Sequence, residues 1–207
     1  HDGLTDSEEG TFGTAVDRAD SDADGFPDGL ESENGFDPSG PGRPRVNVDI
    51  SAIKVKAPLV WTEDTDEKTI EHDLARGVIH FPGTAVPGED GNAFITGHSS
   101  DYIWQRGPYR DIFKNLPKLK EGDEVVFRFS YSNGKSRDVK YRLTEKLVTA
   151  PTDRSLLSPT PTPTLTLVTC YPFGLGPQSP QRFVVRALPL ASTASRKPVP
   201  TAPDNPA

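Results

Sequence analysis

The sequence has a single cysteine, no methionine and no long apolar run. With only Cys170 available, no internal disulfide can form, and a lone thiol is either a small buried hydrophobe or a nucleophile. No stretch approaches the roughly 18 consecutive apolar residues that span a bilayer, and no secretory leader pattern is present. Any membrane anchor is therefore expected outside these residues. Lys and Arg are scattered and the formal net charge is −7, so there is no basic stripe to recognise nucleic acid or anionic lipid. The missing methionine, and a first segment that reads as the tail of a motif, suggest a mature or trimmed piece of a longer chain.

What is present amounts to one domain with appendages. The chain has 207 residues and is 33% hydrophobic, enough to bury one core of ordinary size. Residues 1–40 are rich in Asp, Glu and Gly and poor in large apolar side chains, so they need a source of cohesion other than a core. Residues 41–48, within the run SGPGRPR and its end, read as a linker. Residues 49–190 carry the catalytic candidate domain. Residues 191–207 are rich in Pro, Ala, Ser and Thr and read as a disordered spacer.

Short apolar runs separated by turn residues dominate the middle: VNVDISAIKV, GVIHFPG, NAFITGH, DEVVFRF, VKYRLTEKLV, LTLVTC and RFVVRA. They predict strands. Helical patterns interrupt them at Asp66 to Gly77 and, more briefly, at Arg110 to Leu116 before Pro117. Many short strands with few helical connections favour a closed β-barrel over a doubly wound sheet.

Read as a strand, Thr164 to Cys170 places Leu165, Leu167 and Thr169 on one face and Thr166, Val168 and Cys170 on the other. Cys170 ends that strand, an eleven-residue Pro- and Gly-rich stretch follows, and RFVVRA returns. Such a hairpin sets Arg182 beside Cys170. A guanidinium stays charged, so it can lower a thiol pKa and donate hydrogen bonds to an oxyanion, but it cannot act as a base. A histidine is the natural proton carrier. Of the four, His1 is terminal and His72 lies in a polar helical stretch, which leaves His80 and His98. Arg186 shares the face of Arg182 but lies four residues further from the loop, where a solvated charge is the simpler reading.

Three segments in order, ITGHSS at Ile95 to Ser100, TLVTC at Thr166 to Cys170 and RFVVRA from Arg182, resemble the signature segments of sortases. PGEDGNAFITGH, DIFKNLPKLKEGDEV and the CYPFG run with QSPQRF add to the likeness, the last resembling class D sortases in particular. The resemblance covers roughly Ile50 to Leu190. It implies an eight-stranded sortase-type β-barrel, with short helices, acting as a secreted cysteine transpeptidase. By motif, Cys170 would be the nucleophile, His98 the catalytic histidine and Arg182, with a backbone N–H near Tyr171, the oxyanion partner; Thr169 would help shape the groove. The implied substrate is a surface protein with an LPXTG-like sorting signal. The acceptor would be an amine from a cell-wall peptide or a pilin, at a bacterial cell surface reached through a membrane anchor. The Thr- and Pro-rich stretch from Ala150 to Pro163 is expected to bear on substrate choice.

Two other readings compete. An L,D-transpeptidase would carry an Arg two residues beyond its cysteine, where this chain has Pro172, while a hydrolytic cysteine peptidase would share the thiol and histidine. A noncatalytic, calcium-stabilised surface or adhesion module would leave Cys170 inert.

The acidic start has its own logic. In DSDADGFPDGLE, Asp20, Asp22, Asp24, the Phe26 carbonyl, Asp28 and Glu31 occupy positions 1, 3, 5, 7, 9 and 12 of a calcium loop, with Gly25 at position 6. HDGLTDSEE repeats the second half, with Asp2, Asp6 and Glu9 at positions 5, 9 and 12, an offset of 22 residues. Because no long amphipathic helix flanks them, the loops resemble thrombospondin type 3 repeats more than paired EF-hands. That likeness implies structural Ca2+ in a stiff stalk.

Overall fold

The computed structural model describes residues 2–99, 107–175 and 178–190. The spacer expected over 191–207 and the terminal His1 lie outside them. Eight strands close into a barrel: β1 (Arg45–Ile50), β2 (Val55–Trp61), β3 (Val78–His80), β4 (Asn92–Thr96), β5 (Glu124–Ser130), β6 (Ser136–Thr149), β7 (Thr164–Tyr171) and β8 (Gln181–Pro189). Around the barrel the order is β1-β2-β3-β4-β7-β8-β6-β5. All neighbours are antiparallel except β2 with β3 and β4 with β7. The barrel predicted from the spacing of the apolar runs is the observed fold.

The strands form where the sequence alternates. In β1 and β5 the inward set Val46, Val48, Ile50, Val125, Phe127 and Phe129 is buried while the residues between them are less so, as a half-buried strand requires. β7 is buried on both faces from Leu165 to Thr169. Leu165 and Leu167 join the barrel interior, whereas Val168 packs outside with Phe94, Leu156 and Val184. Leu156 belongs to a 3-10 turn, Arg154–Leu157, in the loop before β7. Asn92 ties that loop down: its Nδ2 donates to the Leu156 carbonyl at 2.7 Å, and its Oδ1 accepts from Thr166 Oγ1 at 2.7 Å.

The helical pattern after β2 is real but shorter than its sequence signal. It becomes α3, Glu67–Leu74, whose N-cap Asp66 accepts from the Thr69 amide; α3 covers the crossover that the parallel β2–β3 pair demands. The segment Arg110 to Leu116 departs from expectation. It is a chain of turns leading into a 3-10 turn at Leu116–Lys118. Its amides bond three residues back, as in Ile112 to Tyr109 and Lys114 to Asp111, while the Phe113 amide donates instead to the His98 carbonyl at 2.8 Å. A tertiary partner thus takes the amide that a helix would have used.

The acidic segment contains two short helices, α1 (Asp6–Phe12) and α2 (Asp28–Asn34), numbered here before α3. Thr5 caps α1 reciprocally with Glu8, and Gly13 and Gly35 end the helices in left-handed conformation. Where a stalk was expected, the segment lies against the barrel. Leu4 and Phe12 are each 2% exposed and belong to the barrel's own core. Phe12 meets Tyr131 edge to face at 5.4 Å. The β5–β6 hairpin holds it there: Asn133 Nδ2 donates to the Phe12 carbonyl, Lys135 Nζ to that of Gly10, and the Ser132 amide to Asp37 Oδ2, each at 2.7 Å. Arg43 stacks over Phe36 and Trp61 and donates to the Asn34 carbonyl. Among the described residues no helix is long and apolar enough to cross a membrane.

Candidate active site

At the other end of the barrel β7 carries Cys170 between two neighbours. On one side it pairs directly with Arg182 of β8, and directly opposed residues of an antiparallel pair project to the same face with Cβ atoms about 5 Å apart. On the other side β4 runs parallel, with Thr96 level with Val168. Continued two residues past the ladder, that register would bring His98 level with Cys170. The alignment persists past the ladder: the Gly97 amide donates to the Val168 carbonyl at 3.3 Å, and Thr169 Oγ1 donates to the Gly97 carbonyl at 2.7 Å. Ser99, 1% exposed, donates its Oγ to the Cys170 carbonyl at 2.8 Å. Two hydroxyls therefore stitch the ends of β4 and β7 where regular pairing stops.

Glycine is required just before His98. A Cβ at Gly97 would stand 2.8 Å from a ring carbon of Phe113 and 3.1 Å from a methyl of Ile112. The backbone carrying His98 is thereby pressed against the turns that follow it.

Cys170 is half-buried, and burial pushes its thiol above the ordinary range while the Arg182 charge pulls the other way. Desolvation wins, so at neutral pH the free site holds a thiol and needs a proton acceptor when substrate arrives. Arg182 is oriented by its own turn: Nη1 donates to the Ser179 carbonyl at 3.0 Å and the Gln181 carbonyl at 2.9 Å. Ser179 in turn donates Oγ to the Pro172 carbonyl. Nη1 is thus fixed on the turn, and the guanidinium charge acts on the Cys170 thiol from its paired position on β8.

The structure separates the remaining candidates from this end. His80 is 7% exposed, lies with its ring tilted against Trp61 at 5.0 Å and uses Nε2 on the Ala85 carbonyl at 2.9 Å. Burial holds its pKa below the usual value. It lines a polar cleft of about 590 Å³ with Arg43, Glu63 and Glu89, at the end where the acidic segment docks. No thiol lines that cleft, so thiol chemistry is read from the Cys170 end. His72 is exposed and touches Asp73. Arg186 pairs with Thr166 and reaches Glu145 at 3.8 Å, away from the thiol. Motif reading singled out His98, Cys170, Thr169 and Arg182 but passed over Ser99, although it stands inside ITGHSS.

The sortase domain model matches residues 48–190. The chain belongs to the sortase family. It is 25% identical to sortase D of Bacillus subtilis (strain 168) over 142 residues, which cover 67% of this chain and 60% of that protein. The chain thus spans less than two thirds of that relative's length. Among solved structures, a Clostridium perfringens sortase D5 transpeptidase shares 26% identity with a TM-score of 0.54, over 73% of this chain and 82% of that one. Sortase A from Corynebacterium diphtheriae shares 27% with a TM-score of 0.58, over 84% and 73%.

Outside the matched region, the carboxylates of the acidic segment fall into two groups. Asp20, Asp22 and Asp24 bring one oxygen each within 4.8 Å of one another; so do Asp2, Glu9 and Asp28. Amides of the loop orient the first group, with Ala23 and Gly25 donating to Asp20 and Phe26 donating to Asp24. Glu31 is 5% exposed and its Oε2 has no hydrogen-bond partner. Burial, then the charges of Asp24, Asp22, Asp28 and Asp20, push its carboxyl up to about 8. Asp28 departs from the loop set, because Ser21 takes both its oxygens through N–H and Oγ. Asp6, the first residue of α1, is exposed and joins neither group.

Proposed function

We propose that this sortase-family chain is a cysteine transpeptidase that cleaves an LPXTG-like sorting signal in a surface protein and passes the acyl group to an amine. The observation that supports this reading is that Cys170 pairs directly with Arg182, while the segment carrying His98, just past the end of β4, is bonded to β7 through Gly97 and Ser99 at the same barrel end. Cys170 Sγ attacks the carbonyl carbon of the scissile bond as His98 takes the thiol proton. Arg182 steadies the oxyanion, and His98 then protonates the departing amine, leaving a thioester. An incoming amine loses its proton to His98, attacks the thioester and releases the thiol. The class D likeness of the sequence and the sortase D relatives favour anchoring of surface proteins to a cell-wall peptide or pilin amine.

The same reading places the protein on the outer side of a bacterial membrane. It divides the chain into an acidic segment at 1–40, a linker expected at 41–48 whose last four residues already form the start of β1, the catalytic barrel through residue 190 and a spacer at 191–207. For the acidic segment we read structural Ca2+ binding in thrombospondin type 3-like repeats. The support is the all-oxygen donor set and the sealed, partnerless Oε2 of Glu31.

The test is a peptide bearing the signal, incubated with and without an amine acceptor and read by mass spectrometry. Amide product that requires Cys170, His98 and Arg182 supports transpeptidation. Acid alone, unchanged by amine, would make the chain a hydrolytic cysteine peptidase. A thiol inert to alkylation in the folded protein, with no product, would favour a noncatalytic surface module.

A further inference from the structure

We propose that the acidic segment holds two calcium ions, one of them bound jointly by both repeats through Asp2, Glu9 and Asp28, and that this shared ion fastens the segment to the barrel. The inference rests on the calcium reading of the segment and deepens it. In a self-contained loop Asp28, at position 9, would serve the same ion as Asp20, Asp22 and Asp24. Instead its carboxylate stands with Asp2 and Glu9, which are positions 5 and 12 of the preceding repeat. Position 9 of one repeat therefore completes the site of the repeat before it, while Asp20, Asp22, Asp24 and the buried Glu31 form the other site.

Four observations point to ligands in place of mere crowding. Asp28 and Glu9 are 0% and 4% exposed, and Asp2 Oδ2 is sealed from solvent without a hydrogen-bond partner. Glu31 Oε2 is equally sealed and partnerless beside the second group. Among the described residues no Lys, Arg or His forms an ion pair with any of these seven carboxylates. Buried carboxylates gathered this closely need a counter-charge, and a hard divalent ion with several oxygen ligands supplies it. Finally, the repeats are pressed together where the shared site requires: a Cβ on Gly29 would collide with the Asp2 carbonyl.

The attachment to the barrel follows from chain geometry. Leu4 and Phe12 flank the shared site in sequence, sitting two residues after Asp2 and three after Glu9, and both are inserted in the barrel core. An ion that joins Asp2 and Glu9 to α2 holds both anchors at once. The anchored end lies opposite the catalytic end, since β6 starts beside the gripping hairpin and finishes with Thr149 paired to Arg182.

The experiment titrates calcium alone into the full chain carrying Cys170→Ala, by calorimetry, and follows thermal unfolding with and without calcium. Two bound ions are expected, with the unfolding midpoint raised by roughly 5–10 °C at a hundredfold excess over Kd. Asp28→Asn should remove one ion and most of that rise, and Glu31→Gln should remove the other. Asp2→Asn, at a less buried position, should reproduce the Asp28 result and replaces it if that variant does not fold. Gly29→Ala should weaken the shared site at least tenfold while leaving all carboxylates in place. One ion, unaffected by Asp28→Asn and Asp2→Asn, would overturn the shared site and keep the single-loop reading. No binding at all would overturn calcium altogether, and two ions without any thermal shift would overturn the fastening. None of these readouts uses transpeptidation, so they stand apart from the test of the catalytic trio.

Discussion

The two ends of the barrel use charge in opposite ways. At the end proposed as catalytic a few polar groups, His98, Cys170 and Arg182, gather at β7, β8 and the end of β4, and the carbonyls of Cys170, Gly97, Ser179 and Gln181 are each hydrogen-bonded. At the docking end six acidic residues gather in two groups of three, with Glu31 a further buried carboxylate, and no cationic side chain is paired to them among the described residues. The first arrangement suits a reaction, because its donors are fixed before a negative charge develops. The second suits an ion, because its negative charge is already there. The barrel between them is one continuous apolar core, so the ends share stability without sharing chemistry.

That contrast is broken most sharply by two substitutions with opposite expected signatures. Cys170→Ala or His98→Ala should lower transpeptidation by at least about a thousandfold, with thermal unfolding unchanged. Phe12→Ala should do the reverse, costing about 3–5 kcal/mol of stability in chemical denaturation while kcat of the surviving folded protein is retained. If Phe12→Ala silenced catalysis in the folded state, or Cys170→Ala unfolded the barrel, the division between the ends would fail.

Next in size is Arg182→Lys, expected to lose about a hundredfold in kcat/KM, because an ammonium lacks the planar fork that the Ser179 and Gln181 carbonyls orient. The pH dependence of Cys170 alkylation gives a smaller effect with a fixed sign. Burial raises the thiol pKa and Arg182 opposes it, so alkylation should rise with pH to a midpoint above that of an exposed cysteine. Arg182→Gln should move the midpoint higher still. A downward shift would mean that the guanidinium does not face the sulfur. Smallest is Ser99→Ala, which removes one buried hydrogen bond to the Cys170 carbonyl. It should cost about 1 kcal/mol in denaturant unfolding and lower kcat several-fold, with KM nearly unchanged. Equal loss in kcat and stability for a surface Ser such as Ser7 would remove any special role for the clamp.

Much of the barrel was legible because its strands alternate, as β1 and β5 show, and because turn residues punctuate them. The Cys170–Arg182 pairing was legible for the same reason, being a hairpin whose two strands are close in sequence. The position of His98 was not available from spacing, since β4 and β7 are parallel and more than 70 residues separate the paired Asn92 and Thr164; only the motif order suggested it. The turns before Leu116 were misread because Phe113 finds a partner in the His98 carbonyl that no local pattern reveals. The docking of the acidic segment was hidden differently. Its average composition is that of a solvated linker, yet Leu4 and Phe12 are inserted in the barrel core, and a mean over forty residues conceals two anchors.

The placing of the proposed trio on β7, on β8 and just beyond β4 also has a kinetic meaning. No two-stranded piece of the chain contains all three residues, and the β4–β7 contact closes a loop that includes β5, β6 and everything between. Closing such long loops is slow, so refolding of this barrel is expected on the millisecond to second scale. Binding competence and barrel closure then arrive together: a chain still searching for its β4–β7 register has a thiol and an arginine side by side but no histidine. On the proposed mechanism, activity during refolding is expected to appear no earlier than the β4–β7 pairing.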